Sequence, residues 1–177
     1  MKRLVVASLL GAILFFILDS LHVWVGIWKA GAARGVPWWF SFVYFGGIFG
    51  VGLILRVFER RHALTVNLPL EIGAFVAILL AHLLVFRFEL LLTALTTTLL
   101  AVRLLRFRQP GDGVVVLVVV LTDLACELAL SSAGVFTYSH ARFATLPLWL
   151  IPMWGGIGLS IRRFFRVADR GRVETNE

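Results

Sequence analysis

Apolar residues run along this chain in six long stretches, roughly residues 4–28, 36–57, 68–86, 88–105, 114–130 and 146–165. Each is close to the ~20 residues that a helix needs to cross hydrocarbon. The breaks between them carry charge and turn formers: Lys29 to Gly35, Glu59 to His62, Arg106 to Gly113, and Thr137 to Arg142. The weakest break is Arg87, with Glu89 close behind. There the third and fourth helices turn within two or three residues, or one long helix bends. The pattern predicts six helices, with five or seven as the alternatives. The runs are apolar on every side and lack the alternation of a β-barrel strand. In lipid the backbone must satisfy its own hydrogen bonds, so such runs become helices. The predicted fold class is all-α, a polytopic six-transmembrane-helix bundle. It forms a single domain over residues 1–177, with 166–177 as a short cytoplasmic tail.

Composition agrees. Of 177 residues, 60% are apolar and 15% charged, and mean hydropathy is +0.94. A soluble domain of this size needs far more polar surface. The 13% aromatic content excludes intrinsic disorder. A single cysteine, Cys126, removes any intrachain disulfide framework and any Cys-based zinc or iron–sulfur site.

Charge sets the orientation. Lys2, Arg3, Arg56, Arg60, Arg61, Arg103, Arg106, Arg108, Arg162, Arg163, Arg166, Arg170 and Arg172 are assigned to one face, 13 of the 17 basic residues. Lys29, Arg34, Arg87 and Arg142 are left to the other. This asymmetry places both termini in the cytoplasm and favours an even number of spans. Topology and attraction to anionic headgroups account for the net charge of +7, so no nucleic-acid partner is needed. The opening Met1-Lys2-Arg3 imitates a signal peptide, but its apolar run is too long and holds Asp19 and His22. A retained first span is expected. The preference for Arg over Lys suggests a GC-rich genome. The expected location is a bacterial plasma membrane, or the endoplasmic reticulum if the source is eukaryotic.

Polar residues inside spans cost several kcal/mol, so they face a cavity, a partner or the bundle interior. Asp19 and His22 share a face of the first helix at i, i+3, and Asp123 and Glu127 share one of the fifth at i, i+4. His82 lies late in the third helix, and Glu89 opens the fourth. The sharp reading is a proton relay or metal site. The preferred one is a set of hydrogen bonds locking helices together. A metal is disfavoured because there is one acid-x-x-His pair where di-iron bundles use two. Two carboxylates one turn apart in low dielectric cannot both ionise cheaply.

Gly46, Gly47, Gly50 and Gly52 in the second helix and Gly155, Gly156 and Gly158 in the sixth read first as close helix packing. Alternatively they leave room for a ligand's chain. Trp38, Trp39, Trp149, Trp154 and Tyr138 fit interfacial belts. Pro147 and Pro152 suggest a kink or late start for the last helix. No Gly-x-Ser-x-Gly elbow or phosphate-cradling loop is present, and Gly111-Asp112-Gly113 reads as a turn. No clear internal repeat marks a transporter.

The most distinctive text is Gly134-Val-Phe-Thr-Tyr138-Ser-His-Ala-Arg-Phe143, then Trp149-Leu-Ile-Pro152-Met-Trp-Gly155-Gly156-Ile-Gly158. It resembles the Insig family of sterol-regulating membrane proteins, with Gly-Val-Tyr-x-Tyr, a short loop holding Asp-Phe, Trp-Leu-Pro and a Gly-Gly. Here Phe136 stands for the first tyrosine and Arg142 for the loop aspartate. Val36-Pro37-Trp38-Trp39 before Gly46-Gly47 is similar to the family's tryptophan–proline approach to the second helix, in permuted order. The resemblance covers about a third of the chain. It implies a bacterial homologue: a non-catalytic six-helix bundle, without cofactor, with a central cavity for a sterol or another lipid. The family's glutamine opening the fourth helix falls on Glu89. The aspartate that engages the sterol-sensing escort protein falls near Arg106, a charge reversal that, with the bacterial-looking composition, argues against escort binding; a diacylglycerol-like ligand is then expected over a sterol.

The resulting expectation is a lipid-binding protein, forming a homo-oligomer, whose head-group contacts come from Glu89, His82, Asp19, His22, Asp123 and Glu127. The alternative is a small membrane enzyme or proton-coupled carrier using Asp123 and Glu127 with His22 or His82.

Overall fold

The computed structural model describes residues 1–30, 35–59, 66–140 and 145–170. Among these, six helices follow the apolar runs: α1 (Lys2–Val25), α2 (Phe40–Glu59), α3 (Leu68–Val85), α4 (Glu89–Arg106), α5 (Asp112–Ser132) and α6 (Leu150–Arg170). By length and composition α1, α3 and α5 are able to cross a membrane. Arg34, Arg60, Arg61, His62, Arg142, Phe143 and Arg172 lie outside the described residues, as does 171–177 of the expected tail.

Arg87 marks a true break. The Val85 carbonyl accepts from the Phe88 N–H at 2.8 Å, α4 begins at Glu89, and the single bent helix is excluded. At its other end α3 starts from Asn67, whose Oδ1 accepts from the Leu70 N–H at 3.3 Å.

One element departs from an all-helical chain. Trp28–Ala30 (β1) and Phe136–Tyr138 (β2) pair antiparallel, Trp28 opposite Tyr138 and Ala30 opposite Phe136. The first apolar run extends to residue 28, but Gly26 ends α1 earlier. Its φ of 85° closes the helix in a left-handed turn, with its N–H on the carbonyls of His22 and Val23. Trp28 and Phe136 turn inward while Lys29 and Thr137 face out, so the ladder lids that end of the bundle.

Helix α6 occupies the centre, packed by α3, α4 and α5 and touched by α1 and α2. Its glycines explain how three helices approach one. A Cβ at Gly155 would stand 2.8 Å from Leu100 of α4, at Gly156 2.7 Å from Ile78 of α3, and at Gly158 3.0 Å from Val119 of α5. Close packing is therefore the role of this triplet. On α2 only Gly52 behaves so, against Leu4 and Phe165, whereas Gly46, Gly47 and Gly50 face open space.

A buried charge network ties the end of the bundle away from the ladder. Glu71 of α3 pairs with Arg103 of α4 and, at 3.3 Å, with Arg163 of α6. Asp112 of α5, wholly buried, receives Arg162 at 2.6 Å and Arg163 at 2.8 Å. Arg103 also donates to the Gly156 carbonyl at 2.6 Å and to Ser160 Oγ at 3.0 Å. Gly111-Asp112 is thus more than a turn, and Arg103, Arg162 and Arg163 point into protein rather than to a headgroup surface. Glu71→Leu should strand Arg103 and Arg163 and lower stability by about 3 kcal/mol. Chemical unfolding in detergent measures this; an unchanged midpoint would refute the assigned role.

Candidate functional site

Between α1, α2, α3, α5 and α6, beneath the β1–β2 lid, lies a cavity of about 180 Å³. Its walls are apolar: Phe15 and Leu18 of α1, Val51 of α2, Leu79 of α3, Val119 of α5, and Met153 and Ile157 of α6. Trp28, Phe136 and Tyr138 close it at the ladder. Val43 and Gly47 of α2 and Thr122 and Cys126 of α5 line it while also being exposed on the outside of the bundle, so a mouth opens sideways between these helices. Below the mouth a smaller apolar cleft of about 40 Å³ continues between α2 and α5, sharing Val51 and Val119 with the main cavity.

Five of the six residues singled out from the sequence meet here: Asp19, His22, His82, Asp123 and Glu127. Asp19 lies six residues before the end of α1 and Glu127 five before the end of α5. At 1.5 Å per residue both are about 8–9 Å below the helix ends. Their depth matches because both helices finish at the lid.

Tyrosines absent from that set complete the cluster. The Tyr44 hydroxyl donates to Asp19, and the Tyr138 hydroxyl donates to Glu127 Oε2 at 2.9 Å. Desolvation, and then the neighbouring Glu127 carboxyl, hold the Tyr138 phenol well above its ordinary pKa, so it stays a donor. Asp19 Oδ1 lies 3.4 Å from His22 Nδ1. His82 is fully buried, its Nδ1 is 3.2 Å from the Ile78 carbonyl, and its ring meets Trp149 edge-on at 4.3 Å. The His22 ring stands 5.9 Å away. Among the described residues no group of three metal-ligating side chains forms.

Glu89 stands apart. It is buried outside the cavity, and its Oε1 accepts from the Leu148 N–H at 3.1 Å, holding the lead-in of α6 to the start of α4. Its expected place among the head-group contacts is corrected accordingly: a side chain opening α4 reaches the chain entering α6, not the space under α1 and α5. The Leu148 N–H needs an acceptor, which glutamine supplies as well as glutamate. Also missed from the sequence were Glu71 and Asp112. Glu71 is the fourth residue of α3 and Arg103 the fourth from the end of α4. Equal depth in successive antiparallel helices was the signal for their pairing.

No family model matches the chain, and no curated protein matches it. Two crystal structures do. One is the mycobacterial Insig homologue MvINS from Mycobacterium vanbaalenii, and the other is a cross-linked trimer of MvINS. Each superposes with a TM-score of 0.79 at 20% identity, over 95% of this chain and 94% of that one. The fold is Insig-like. The motif resemblance and the backbone therefore agree, although the pairing of Glu71 with Arg103 has no counterpart in those motifs.

The position of Glu89 gives a direct test. Glu89→Leu leaves the Leu148 N–H without this partner and should cost about 1–3 kcal/mol, whereas Glu89→Gln should cost far less. Thermal unfolding of the two variants decides between an acceptor and a charge; equal losses would show that the charge matters.

Proposed function

We propose that this protein binds a lipid, diacylglycerol-like or sterol-like, in its central cavity and acts as an Insig-type lipid sensor without catalysis. The observation that carries the reading is the cavity itself: apolar walls, polar groups gathered at one end, and a mouth between α2 and α5. Enclosed ligand sites run to ~300–1,000 Å³, more than the 180 Å³ found here. Head and upper chain would sit inside, and the remaining hydrocarbon would leave through the mouth. Gly47, with nothing within 4 Å of a Cβ placed on it, keeps that passage clear.

We also propose that all six helices cross the bacterial plasma membrane with both termini in the cytoplasm. The support is that Arg56 touches Met1 and Leu4 approaches Phe165 across Gly52, which brings the start of α1 and the ends of α2 and α6 together. The described basic residues of those segments share that end. A homo-oligomer is part of the reading: MvINS has been solved as a cross-linked trimer, and Gly46 and Gly50 offer an unfilled small-residue face on α2.

A second reading, a membrane enzyme or proton-coupled carrier, draws on the meeting of Asp123 and Glu127 with His22 and His82 in one cavity. Turnover of a lipid or proton-coupled uptake that is lost in Asp123→Asn would favour it.

Native mass spectrometry of detergent-purified protein should reveal a retained neutral lipid, and Gly47→Leu should lower lipid affinity about tenfold. Delipidated protein without saturable binding of diacylglycerol or sterol would end the proposal. For topology, in a Cys126→Ser background, an impermeant maleimide added to intact spheroplasts should label Lys29→Cys, and label Lys2→Cys only after lysis. The reverse pattern would invert the orientation.

A further inference from the structure

The polar end of the cavity is short of hydrogen-bond donors. His82 Nδ1 faces a carbonyl, so the ring proton sits there and Nε2 is a bare acceptor; it is buried without a partner. His22 repeats the arrangement, with Nδ1 toward Asp19 and a buried Nε2 that has none. Asp123 Oδ2 is a third buried atom without a partner, and an acceptor when its carboxyl is ionised. The phenols that could have served them are committed to Asp19 and Glu127. Against these three atoms, one buried unpartnered donor stands among the described residues lining the cavity, Trp154 Nε1.

Charge points the same way. Among the described residues three carboxyls line the cavity, and no Lys or Arg does. Asp123 and Glu127 are one turn apart on α5, and Asp19 faces the same space from α1. Low dielectric forbids their joint ionisation unless a cation enters among them. Phe15, Tyr44, Trp149 and Trp154 also line that space.

We propose that the cavity selects a primary ammonium head group: a long-chain amine whose three N–H donors meet Asp123, His22 and His82, with its chain along the apolar wall. This rests on the reading of the cavity as a lipid site and narrows that site to one class of head. A carboxylate or phosphate head would set negative charge against three carboxyls. A single hydroxyl supplies one donor where three acceptors wait.

Equilibrium binding of tetradecylamine, tetradecanol, tetradecanoate and a diacylglycerol is measured on the protein in phosphatidylcholine nanodiscs at neutral pH, against empty nanodiscs. The amine should bind about tenfold tighter than the alcohol, and the carboxylate should not saturate. Asp123→Asn should pull the amine-to-alcohol ratio toward one. Should that variant fail to fold, the wild-type ratio decides alone. An alcohol binding as tightly as the amine, or a ratio untouched in folded Asp123→Asn, overturns the inference. Diacylglycerol binding without amine binding overturns it too while sparing the lipid reading. Binding by none of the four overturns both.

Discussion

Three arginines and two carboxylates, all out of reach of water and lipid headgroups, hold one end of the bundle. An isolated arginine inside a bilayer costs at least ~2.5–3.5 kcal/mol, and burial of each ion is repaid only by close, well-satisfied partners. Here the partners come from different helices: Glu71 from α3, Arg103 from α4, Asp112 from α5, and Arg162 and Arg163 from α6. Because α6 must reach both acids, it is drawn to the middle of the structure. Gly155, Gly156 and Gly158 then let α4, α3 and α5 close on it. Helices α1 and α2 pack chiefly on each other. The less tightly bound seam runs between α2 and α5, and the cavity opens there.

The molecule therefore has two polar layers of opposite character. At the charged end Glu71 and Asp112 each have arginine partners, and the arginines find further acceptors in Gly156, Pro110 and Phe107 carbonyls. Such a layer is structural because each of these charges is met from within, even though Arg163 Nε is buried without an acceptor. At the ladder end two carboxyls are met by tyrosine hydroxyls, while the two histidines and Asp123 keep buried atoms without partners. Buried acceptors left unmatched are costly in a protein interior. A layer incomplete in itself is one that a ligand can complete.

Much of this was legible in the sequence, and the limits have physical causes. The apolar runs, each near the ~20 residues that span hydrocarbon, marked out the six helices found among the described residues. Spacing of three and four put Asp19 with His22 and Asp123 with Glu127, but periodicity names a face and not the face opposite. That α1, α3 and α5 turn these faces to one cavity depends on how they assemble around α6. The strands Trp28–Ala30 and Phe136–Tyr138 were invisible because three residues are too few to display alternation. Glu89 misled because a carboxyl opening a helix can cap a neighbour's backbone as readily as line a pocket. Glu71 and Arg103 were readable only as a pair, by comparing their depths from one end.

The glycines show why a hollow persists where a solid centre would be expected. Gly52 and Gly47 lie five residues apart on the same helix, yet one is pressed by Leu4 and Phe165 and the other faces nothing within 4 Å. Residue type cannot account for the difference, and neither can helix propensity. What differs is the neighbour: Gly52 is met by Leu4 of α1 and Phe165 of α6, while across from Gly47 the helix α5 packs on α6. Filling that gap from α5 would require α5 to leave α6, and Val119 against Gly158 together with Asp112 against Arg162 and Arg163 oppose it. The same contacts that make one end rigid thus keep the other end open.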